Sequence, residues 1–476
     1  MKNLTILILI LYSVLTIIVH ASEDIQKDVG TVLRDLVDSN HLIGTHFVAV
    51  VNENGLLFTE HQSNRPRPLN NDIQFLVASH TKAMTSTLLA TLHENKEINL
   101  FKSGNQYKRS ILINKRLQAK SITLDQLLTH TAGFTSVQHT FKTAFLGYEN
   151  KNELVESLNY NTLVAPDFQF RYSNTGPIVA SMIVEAELDK SWGELMKSHL
   201  FMPLGMTSTS TKINSDILPS IVTGKDGKIF RQGHYKTNKT MHASGGVVST
   251  INDLSLWLKA NINQDSKAFG GNNVFEYLHK KQVEQDNTYF TYQRSGYSLG
   301  WDIANYNGEV LLTRFGNYAG YSIHVSFMPK QKLGVIAFTN QDIAYVLPHV
   351  IANYAYNSIT GKSNKLSLLQ QESKRLEQSI RKSLSAAPDV SQILTSSNLP
   401  SNIIGAYENE NKWPVMNIFL ENDQAKVSWG ELIGLLLKVD GKYKAHLGSL
   451  QRPLTIKIEN DGKIGLKNGS LPYTKI

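Results

Sequence analysis

Strand-forming residues lie at the two ends of the main body of this chain, with helix-forming residues between them. Residues 46–51 are apolar and rich in β-branched side chains, and an Asn54-Gly55 turn separates them from a second apolar run, so a β-hairpin is predicted. Three more strands are predicted near the end of the body, at residues 309–315, 321–328 and 333–339. This distribution predicts an α+β domain. Its antiparallel sheet is built from the first and last thirds of the body, flanked by helices, with a mostly helical insertion between them.

Changes of sequence texture divide the 476 residues into four predicted parts. Residues 1–21 form a signal peptide, and residues 22–362 form the α+β body. Residues 363–398 are polar with spaced leucines, which predicts a solvent-facing helical linker. Residues 399–476 alternate short apolar runs with Asn-Asp, Asp-Gly and Asn-Gly turns, so we expect a small β-rich C-terminal domain.

The first residues have the pattern of a secretory signal. Lys2 gives a positive start, residues 4–19 are largely apolar, and Val19 and Ala21 place small or apolar residues before a cut after Ala21. The apolar run is shorter than the roughly 20 residues that span a bilayer. We therefore expect a secreted or periplasmic protein with no stable membrane span after cleavage.

Composition excludes several classes of site. The net charge of +8 is spread along the chain without a Lys/Arg-rich block, so no nucleic-acid partner is expected. The absence of cysteine removes disulfide frameworks, cysteine-zinc sites and thiol nucleophiles. His234 and His242 lack the spacing of metal ligands, so neither a metal nor another cofactor is predicted.

A Ser-x-x-Lys motif at Ser79 and Lys82 follows a strand-like run and opens a predicted helix. Residues three apart lie on one face of a helix, so the Lys82 amine can reach the Ser79 hydroxyl. The free backbone amides of the first helical turn can also help to stabilise an oxyanion. Serine needs a base to act as a nucleophile, and lysine serves as one only when its pKa falls. The motif arises by chance in chains of this length, so it indicates chemistry only in a wider context.

That context comes from segments spread over residues 30–360. Tyr172-Ser173-Asn174 resembles the Tyr-x-Asn element of the class C β-lactamase-like serine hydrolases, a family that includes penicillin-binding proteins, esterases and D-amino-acid peptidases. Further segments resemble the same family in the same order: residues 122–134, 203–209, 244–254 and 297–301. The resemblance implies the β-lactamase/transpeptidase-like fold for the body.

The resemblance also implies a role for each matching residue. Ser79 would be the acylated nucleophile, and Lys82 would share or relay its proton. Tyr172 would act as general base or deliver the proton to the leaving group. As a phenolate it would need cationic neighbours to lower its pKa from about 10. Asn174 would hydrogen-bond Lys82 or the substrate.

The third element of the family pattern departs from the usual Lys-Thr-Gly or His-x-Gly. Aligning Gly316 and Gly320 with the family glycines puts Arg314-Phe315-Gly316 at this place. Arg314 keeps a positive charge near the substrate, and Asn317 would offer a second oxyanion-hole amide beside that of Ser79. Phe315 removes a carboxylate-binding hydroxyl, which weakens the case for a true β-lactamase.

These expectations define a serine hydrolase that attacks an ester or amide through an acyl-enzyme on Ser79. Esterase or D-peptidase activity is favoured over β-lactamase activity, on a small-molecule or peptide substrate that includes peptidoglycan-derived peptides among the candidates. The alternative is a non-catalytic binding module on the same fold, recognising peptidoglycan or a protein partner. His130 is expected to be a structural, hydrogen-bonded histidine at a helix end.

Overall fold

An eight-stranded antiparallel sheet forms the centre of the body, with its strands side by side in the order 55–63, 45–52, 333–339, 321–328, 309–318, 302–306, 292–297 and 288–289. The computed structural model describes residues 23–476 except positions 65–68, 108–110, 161, 165–168, 215, 272, 449 and 459–463, so the predicted signal peptide lies outside the described residues. The sheet strands are β1 (Thr45–Asn52), β2 (Gly55–Ser63), β3 (Thr288–Tyr289), β4 (Tyr292–Tyr297), β5 (Asp302–Tyr306), β6 (Glu309–Tyr318), β7 (Tyr321–Met328) and β8 (Leu333–Thr339).

Helices cover both faces of this sheet. Those of ten residues or more in the described chain are α1 (23–39), α2 (Thr81–Glu94), α3 (Lys151–Tyr160), α4 (Thr175–Leu188), α5 (Ile251–Asn263), α6 (Leu347–Ile359) and α7 (Lys365–Ser385). Shorter ones are Lys115–Ala119, Leu124–Leu128, Val137–Phe141, Trp192–Met196, Met202–Leu204 and Val274–Leu278. Phe47 and Phe338 pack towards α2 and α5, whereas Val48 and Val335 pack towards α1, α6 and α7. Alternation along each strand therefore supplies two apolar cores, one per face.

The first and last thirds of the body meet in the sheet, as the sequence predicts. β1 pairs with β8 from His46 opposite Thr339 to Asn52 opposite Leu333. The predicted α+β class and the hairpin at Gly55 are confirmed. The strands between residues 288 and 306 were not predicted. They lie at the end of the sheet and carry polar residues such as Gln293 and Arg294, so a clear apolar run is missing.

Helix α7 follows the body within the predicted linker. One of its faces is buried through Leu376 and Ile380. Glu372 is also buried, and its Oε1 accepts hydrogen bonds from Asn353 Nδ2 at 2.7 Å and Thr291 Oγ1 at 3.1 Å. The helix is thus anchored to the body on this face. Among the described residues, no helix has the length and apolar character needed to cross a membrane.

The C-terminal domain is a closed eight-stranded antiparallel barrel. Its strands are β9 (Gly405–Glu408), β10 (Met416–Glu421), β11 (Gln424–Trp429), β12 (Leu432–Val439), β13 (Lys442–Leu447), β14 (Leu450–Ile458), β15 (Ile464–Asn468) and β16 (Leu471–Lys475). Tyr407 of β9 pairs with Lys475 of β16, which closes the barrel.

The barrel contacts the body at several places, which include Arg231, whose Nη1 donates to the Ile433 oxygen, and residues 137–147 of the helical insertion. The Phe141 ring lies 5.8 Å from both the Trp413 and the Trp429 rings of the barrel. Leu146 joins the barrel core, and its backbone oxygen accepts a hydrogen bond from the Glu431 N–H at 2.9 Å. This segment also borders the site described next.

Candidate active site

Ser79 sits on a tight turn between a short strand and helix α2. Phe75–Leu76 pairs with Val248–Ser249, and a 3-10 turn over Ala78–His80 leads into the helix. Ala78 adopts a left-handed backbone with φ +45°, which an L-residue accepts only when its surroundings hold it there. Every residue from 75 to 92 is buried except Ser79. The turn therefore presents one hydroxyl from an otherwise enclosed segment.

Lys82 Nζ has three hydrogen-bonding partners. It lies 3.1 Å from Ser79 Oγ, 2.7 Å from Asn174 Oδ1 and 2.8 Å from the backbone oxygen of Ser244. The last two atoms can only accept hydrogen bonds. A neutral amine has two protons and one lone pair, so it can donate to both acceptors and still accept the Ser79 proton.

Electrostatics favour this neutral form. Lys82 is completely buried, and burial, followed by the positive charge of Arg314, lowers its pKa well below the usual value. Lys82 therefore has the lowered pKa that a lysine needs to act as a base.

Tyr172 stands beside this pair. Its ring centroid lies 4.9 Å from Lys82 Nζ and 4.5 Å from Arg314 Cζ, and its hydroxyl hydrogen-bonds with Ser79. The residue keeps 41% of its surface exposed and lines a cavity beside the site. Desolvation of the phenol raises the pKa of Tyr172 in spite of Arg314 and the Ser79 hydrogen bond. The cationic neighbours are present, but they do not make Tyr172 a phenolate, so it carries its proton.

His130 supports Tyr172 from behind, as expected for a structural histidine. Its ring centroid lies 4.7 Å from that of Tyr172, with the two ring planes tilted by 57°. His130 Nδ1 accepts a hydrogen bond from the Ser173 N–H at 3.3 Å, so the neutral ring carries its proton on Nε2 and donates to Tyr297 Oη at 3.3 Å. Burial lowers the pKa of His130 well below its usual value, which keeps the ring neutral.

Arg314 lies against Tyr172, and its charge is balanced. Its Nη1 donates to Asp302 Oδ2 at 3.1 Å, and Arg294 Nη1 lies 3.2 Å from the other oxygen of the same carboxylate. Gln285 Nε2 also donates to Asp302 at 2.8 Å. The positive charge of Arg314 thus lies near the site and is paired with Asp302 and the Tyr172 ring.

Gly316 allows strand β6 to approach the Ser79 turn. A Cβ atom at this position would lie 2.3 Å from the backbone oxygen of Val77. Pairing of β5 with β6 ends at Thr313, so the edge of β6 that follows is not paired with β5 and runs beside the turn. The Asn317 side chain donates to Ser322 Oγ at 2.8 Å. Only its backbone amide can therefore serve the predicted oxyanion role.

The ring of Phe315 lies on the other face of the sheet from Arg314 and Gly316. It stacks 4.1 Å from the Tyr289 ring and packs in the second core. The position at which the family pattern has a hydroxyl-bearing residue is therefore occupied by an apolar ring in this chain.

A cavity of about 280 Å³ opens beside the catalytic candidates. Its walls include Tyr172, Asn174, Arg171 and His130, together with Thr140 from the segment that contacts the barrel. Within the described residues, no three His, Asp or Glu side chains group in a way that could hold a metal ion. His242 Nδ1 instead accepts a hydrogen bond from the Ser244 N–H at 3.1 Å.

The structure thus brings together Ser79, Lys82, Tyr172 and Asn174, with Arg314 and Gly316 next to them. Sequence reasoning missed two contributors: the Ser244 carbonyl and Asp302. Ser244 falls in a segment that resembles the family, but a backbone oxygen leaves no residue-type signal. Asp302 reaches the site only through the pairing of β5 with β6.

Comparison with known proteins identifies the family of this chain. The Beta-lactamase family model matches residues 30–349. The unguisins hydrolase ungD' of Aspergillus campestris is 23% identical over 343 residues, which cover 67% of this chain and 62% of the fungal protein. The D-alanyl-D-alanine-carboxypeptidase/endopeptidase AmpH of Escherichia coli K12 is 23% identical over 66% of this chain and 86% of its own length. The chain spans only 52% of a second fungal unguisins hydrolase, from Aspergillus violaceofuscus.

Solved structures share the fold. The octameric penicillin-binding protein homologue of Pyrococcus abyssi aligns with a TM-score of 0.63 at 18% identity, over 94% of this chain and 99% of that chain. A class C β-lactamase in complex with cefoxitin aligns with a TM-score of 0.57 at 18% identity, over 71% of this chain and 99% of the other. The family match and the shared fold define a serine hydrolase of the β-lactamase class. The chain belongs to the β-lactamase family.

Proposed function

We propose that this protein hydrolyses an ester or amide through an acyl-enzyme on Ser79. The observation that carries the proposal is the set of three contacts around Lys82 Nζ, which leave the lone pair of a neutral amine for Ser79. A binding module has no need of a buried neutral lysine aimed at a serine hydroxyl.

Acylation begins with proton transfer from Ser79 Oγ to Lys82 Nζ as the oxygen attacks the carbonyl carbon of the substrate. The carbonyl electrons move onto its oxygen, and the backbone amides of Ser79 and Asn317 donate to this oxyanion. When the bond to the leaving group breaks, Tyr172 donates its phenolic proton to the leaving oxygen or nitrogen. Lys82 then returns a proton towards Tyr172, whose ring lies 4.9 Å from Nζ.

Deacylation follows the same path in reverse, with water in place of the leaving group. Water attacks the acyl carbon and loses a proton to the Lys82–Tyr172 pair, and Ser79 regains its hydrogen as the ester bond breaks. Arg314 keeps Lys82 neutral in the resting enzyme, where the amine must be free to accept the Ser79 proton, since like charges repel in a buried site.

Esters and D-amino-acid peptides or amides are the substrates that we favour over β-lactams. Support comes from the third motif, where Arg314 is already paired with Asp302 and no hydroxyl replaces that of the family pattern. The relatives named as an unguisins hydrolase and as a D-alanyl-D-alanine-carboxypeptidase/endopeptidase are consistent with amide cleavage.

A substrate panel tests this proposal. Purified wild-type protein and the Ser79→Ala variant are compared on a 4-nitrophenyl ester, a D-aminoacyl 4-nitroanilide and a chromogenic cephalosporin. We expect turnover of the ester or the anilide that is lost in the variant, and slower turnover of the cephalosporin. Equal rates for both proteins on every substrate would refute the proposal and favour a binding role.

We further propose that the protein acts outside the cytoplasm, since residues 1–21 carry the signal pattern. Expression of the full chain and intact-mass measurement of the exported protein tests this. A mature N-terminus at Ser22 is expected, and retention of the uncleaved chain in the cytoplasm would contradict it.

A further inference from the structure

Lys236 is a second buried lysine beside the site, and it has no role in the steps above. It lies in the loop that follows the strand Ile229–Gly233, and only 4% of its surface is exposed. Its Nζ lies over the ring of Tyr318, two residues beyond Gly316, which approaches the Ser79 turn. Burial of an amine is energetically costly unless hydrogen-bonding or charged partners replace the water that it loses.

The partners that the protein offers to Lys236 are weak. Its Nζ lies 3.4 Å from the backbone oxygen of Ala144 and 4.7 Å from the centre of the Tyr318 ring. The Tyr318 hydroxyl already donates to the same Ala144 oxygen at 2.8 Å. Among the described residues, no carboxylate contributes to the electrostatic environment of this amine. Lys236 therefore keeps hydrogen-bonding capacity that the protein does not fill.

The other cations of the site are fully engaged. Arg314 and Arg294 share Asp302, and Lys82 has three partners. Burial and the neighbouring Lys82 lower the pKa of Lys236 well below its usual value, so the free protein tolerates it as a neutral amine. An incoming anion would convert it into a stable ammonium, because an ion pair compensates the buried charge.

The position of Lys236 is suited to a group near the reacting carbonyl. Gly316 touches the Ser79 turn, and Tyr318 follows two residues later on the same face of β6. A strand rises about 3.3 Å per residue, so their Cα atoms are about 7 Å apart. A substituent a few bonds from the reacting carbonyl spans that distance.

We propose that Lys236 binds a carboxylate of the substrate and sets a preference for esters or amides that carry an anionic group near the reacting carbonyl. This inference rests on the proposed hydrolase function. It gives Lys236 the carboxylate-binding role that the hydroxyl missing at Phe315 cannot fill. The carboxylate belongs either to the acyl group or to the leaving group.

Two matched ester pairs test the inference. On the acyl side, mono-4-nitrophenyl adipate is compared with 4-nitrophenyl hexanoate. On the leaving-group side, 3-(hexanoyloxy)benzoate is compared with 3-(hexanoyloxy)benzamide. We expect the wild-type kcat/KM to favour the charged ester in one pair, and Lys236→Met to reduce that preference about tenfold or more, as for loss of one charge-assisted hydrogen bond. The pair that responds identifies the side that carries the carboxylate.

Controls separate the possible failures. Lys225→Met changes an exposed lysine of the same region and should leave both preferences unchanged. A normal thermal unfolding curve shows that each variant is folded. Ser79-dependent hydrolysis of the neutral esters shows that it is active. If the wild-type protein hydrolyses the neutral esters but prefers neither charged partner, or if Lys236→Met leaves the preference intact, the role of Lys236 is refuted. If Ser79 is not needed for any ester, the proposed function itself fails.

Discussion

Replacing Gly316 by alanine should increase the distance between the Ser79 turn and strand β6. The added Cβ would lie 2.3 Å from the Val77 oxygen, 2.8 Å from Ile323 Cγ2 and 3.1 Å from Ala78 Cβ. Relief of these contacts requires the strand and the Ser79 turn to separate by about 1 Å. Overpacking of this kind costs about 1–3 kcal/mol of stability. A 1 Å error in the position of reacting groups costs about 100-fold in rate.

The assay is kcat/KM for a 4-nitrophenyl ester, measured together with the free energy of unfolding. We expect Gly316→Ala to remain folded, with a free energy of unfolding that falls by about 1–3 kcal/mol. Its kcat/KM should fall about 100-fold. Gly233→Ala is the matched control, because a Cβ there meets no atom within 4 Å. Unchanged kcat/KM in Gly316→Ala would refute the claim that close approach of β6 positions the Ser79 site.

Three further predictions address proton transfer and stability. Tyr172→Phe should lower kcat on amides about 10²- to 10⁴-fold. It should slow fluorophosphonate labelling of Ser79 much less, because fluoride leaves without a proton. Equal losses in both assays would contradict the proton-donor role. Arg314→Met should raise the pKa of Lys82, since a cation that disfavours the ammonium form is removed. The acidic limb of the pH profile of the labelling rate should therefore move to higher pH. An unchanged acidic limb would show that Arg314 does not act on Lys82. Burial raises the pKa of Glu372 to about 7 from 4.5, so the folded protein binds an extra proton between these values. The resulting stability is complete below pH 4.5 and is lost as pH rises through 7, up to about 3 kcal/mol. Glu372→Gln should therefore unfold at a higher denaturant concentration than wild type at pH 8, and equal midpoints would contradict this.

Local patterns in the sequence were sufficient for much of the sheet. The Asn54-Gly55 turn between apolar runs predicted the first hairpin, and the segments 321–328 and 333–339 became strands with the same bounds. Strand β4 was missed because Gln293 and Arg294 interrupt its apolar pattern. Closure of the C-terminal barrel depends on pairing Tyr407 with Lys475, which no local pattern specifies.

The site was predictable where its geometry is local. Ser79 and Lys82 lie one helical turn apart, and their side chains are 3.1 Å apart as that spacing implies. Their proximity to Tyr172 and Asn174 was implied by the family resemblance. The burial of Lys236 could not be predicted, since a single lysine in a polar loop has no pattern that indicates packing.

The partner of Arg314 was equally inaccessible from the sequence. Asp302 and Arg314 are twelve positions apart, and they meet because Asp302 pairs with Thr313 across β5 and β6. A shift of one residue in that register would turn Arg314 to the other face of the sheet. The charge balance of the site is therefore a consequence of strand register.

Intact-protein mass after exposure to a fluorophosphonate tests the central claim most directly, with Ser79→Ala and Lys82→Met as controls. The account predicts one phosphonyl adduct on the wild-type protein, none on Ser79→Ala and a greatly slowed reaction in folded Lys82→Met, because the serine would lose its base. Labelling of folded Lys82→Met at the wild-type rate, or no adduct on the folded wild-type protein, would contradict the activation of Ser79 by a neutral Lys82.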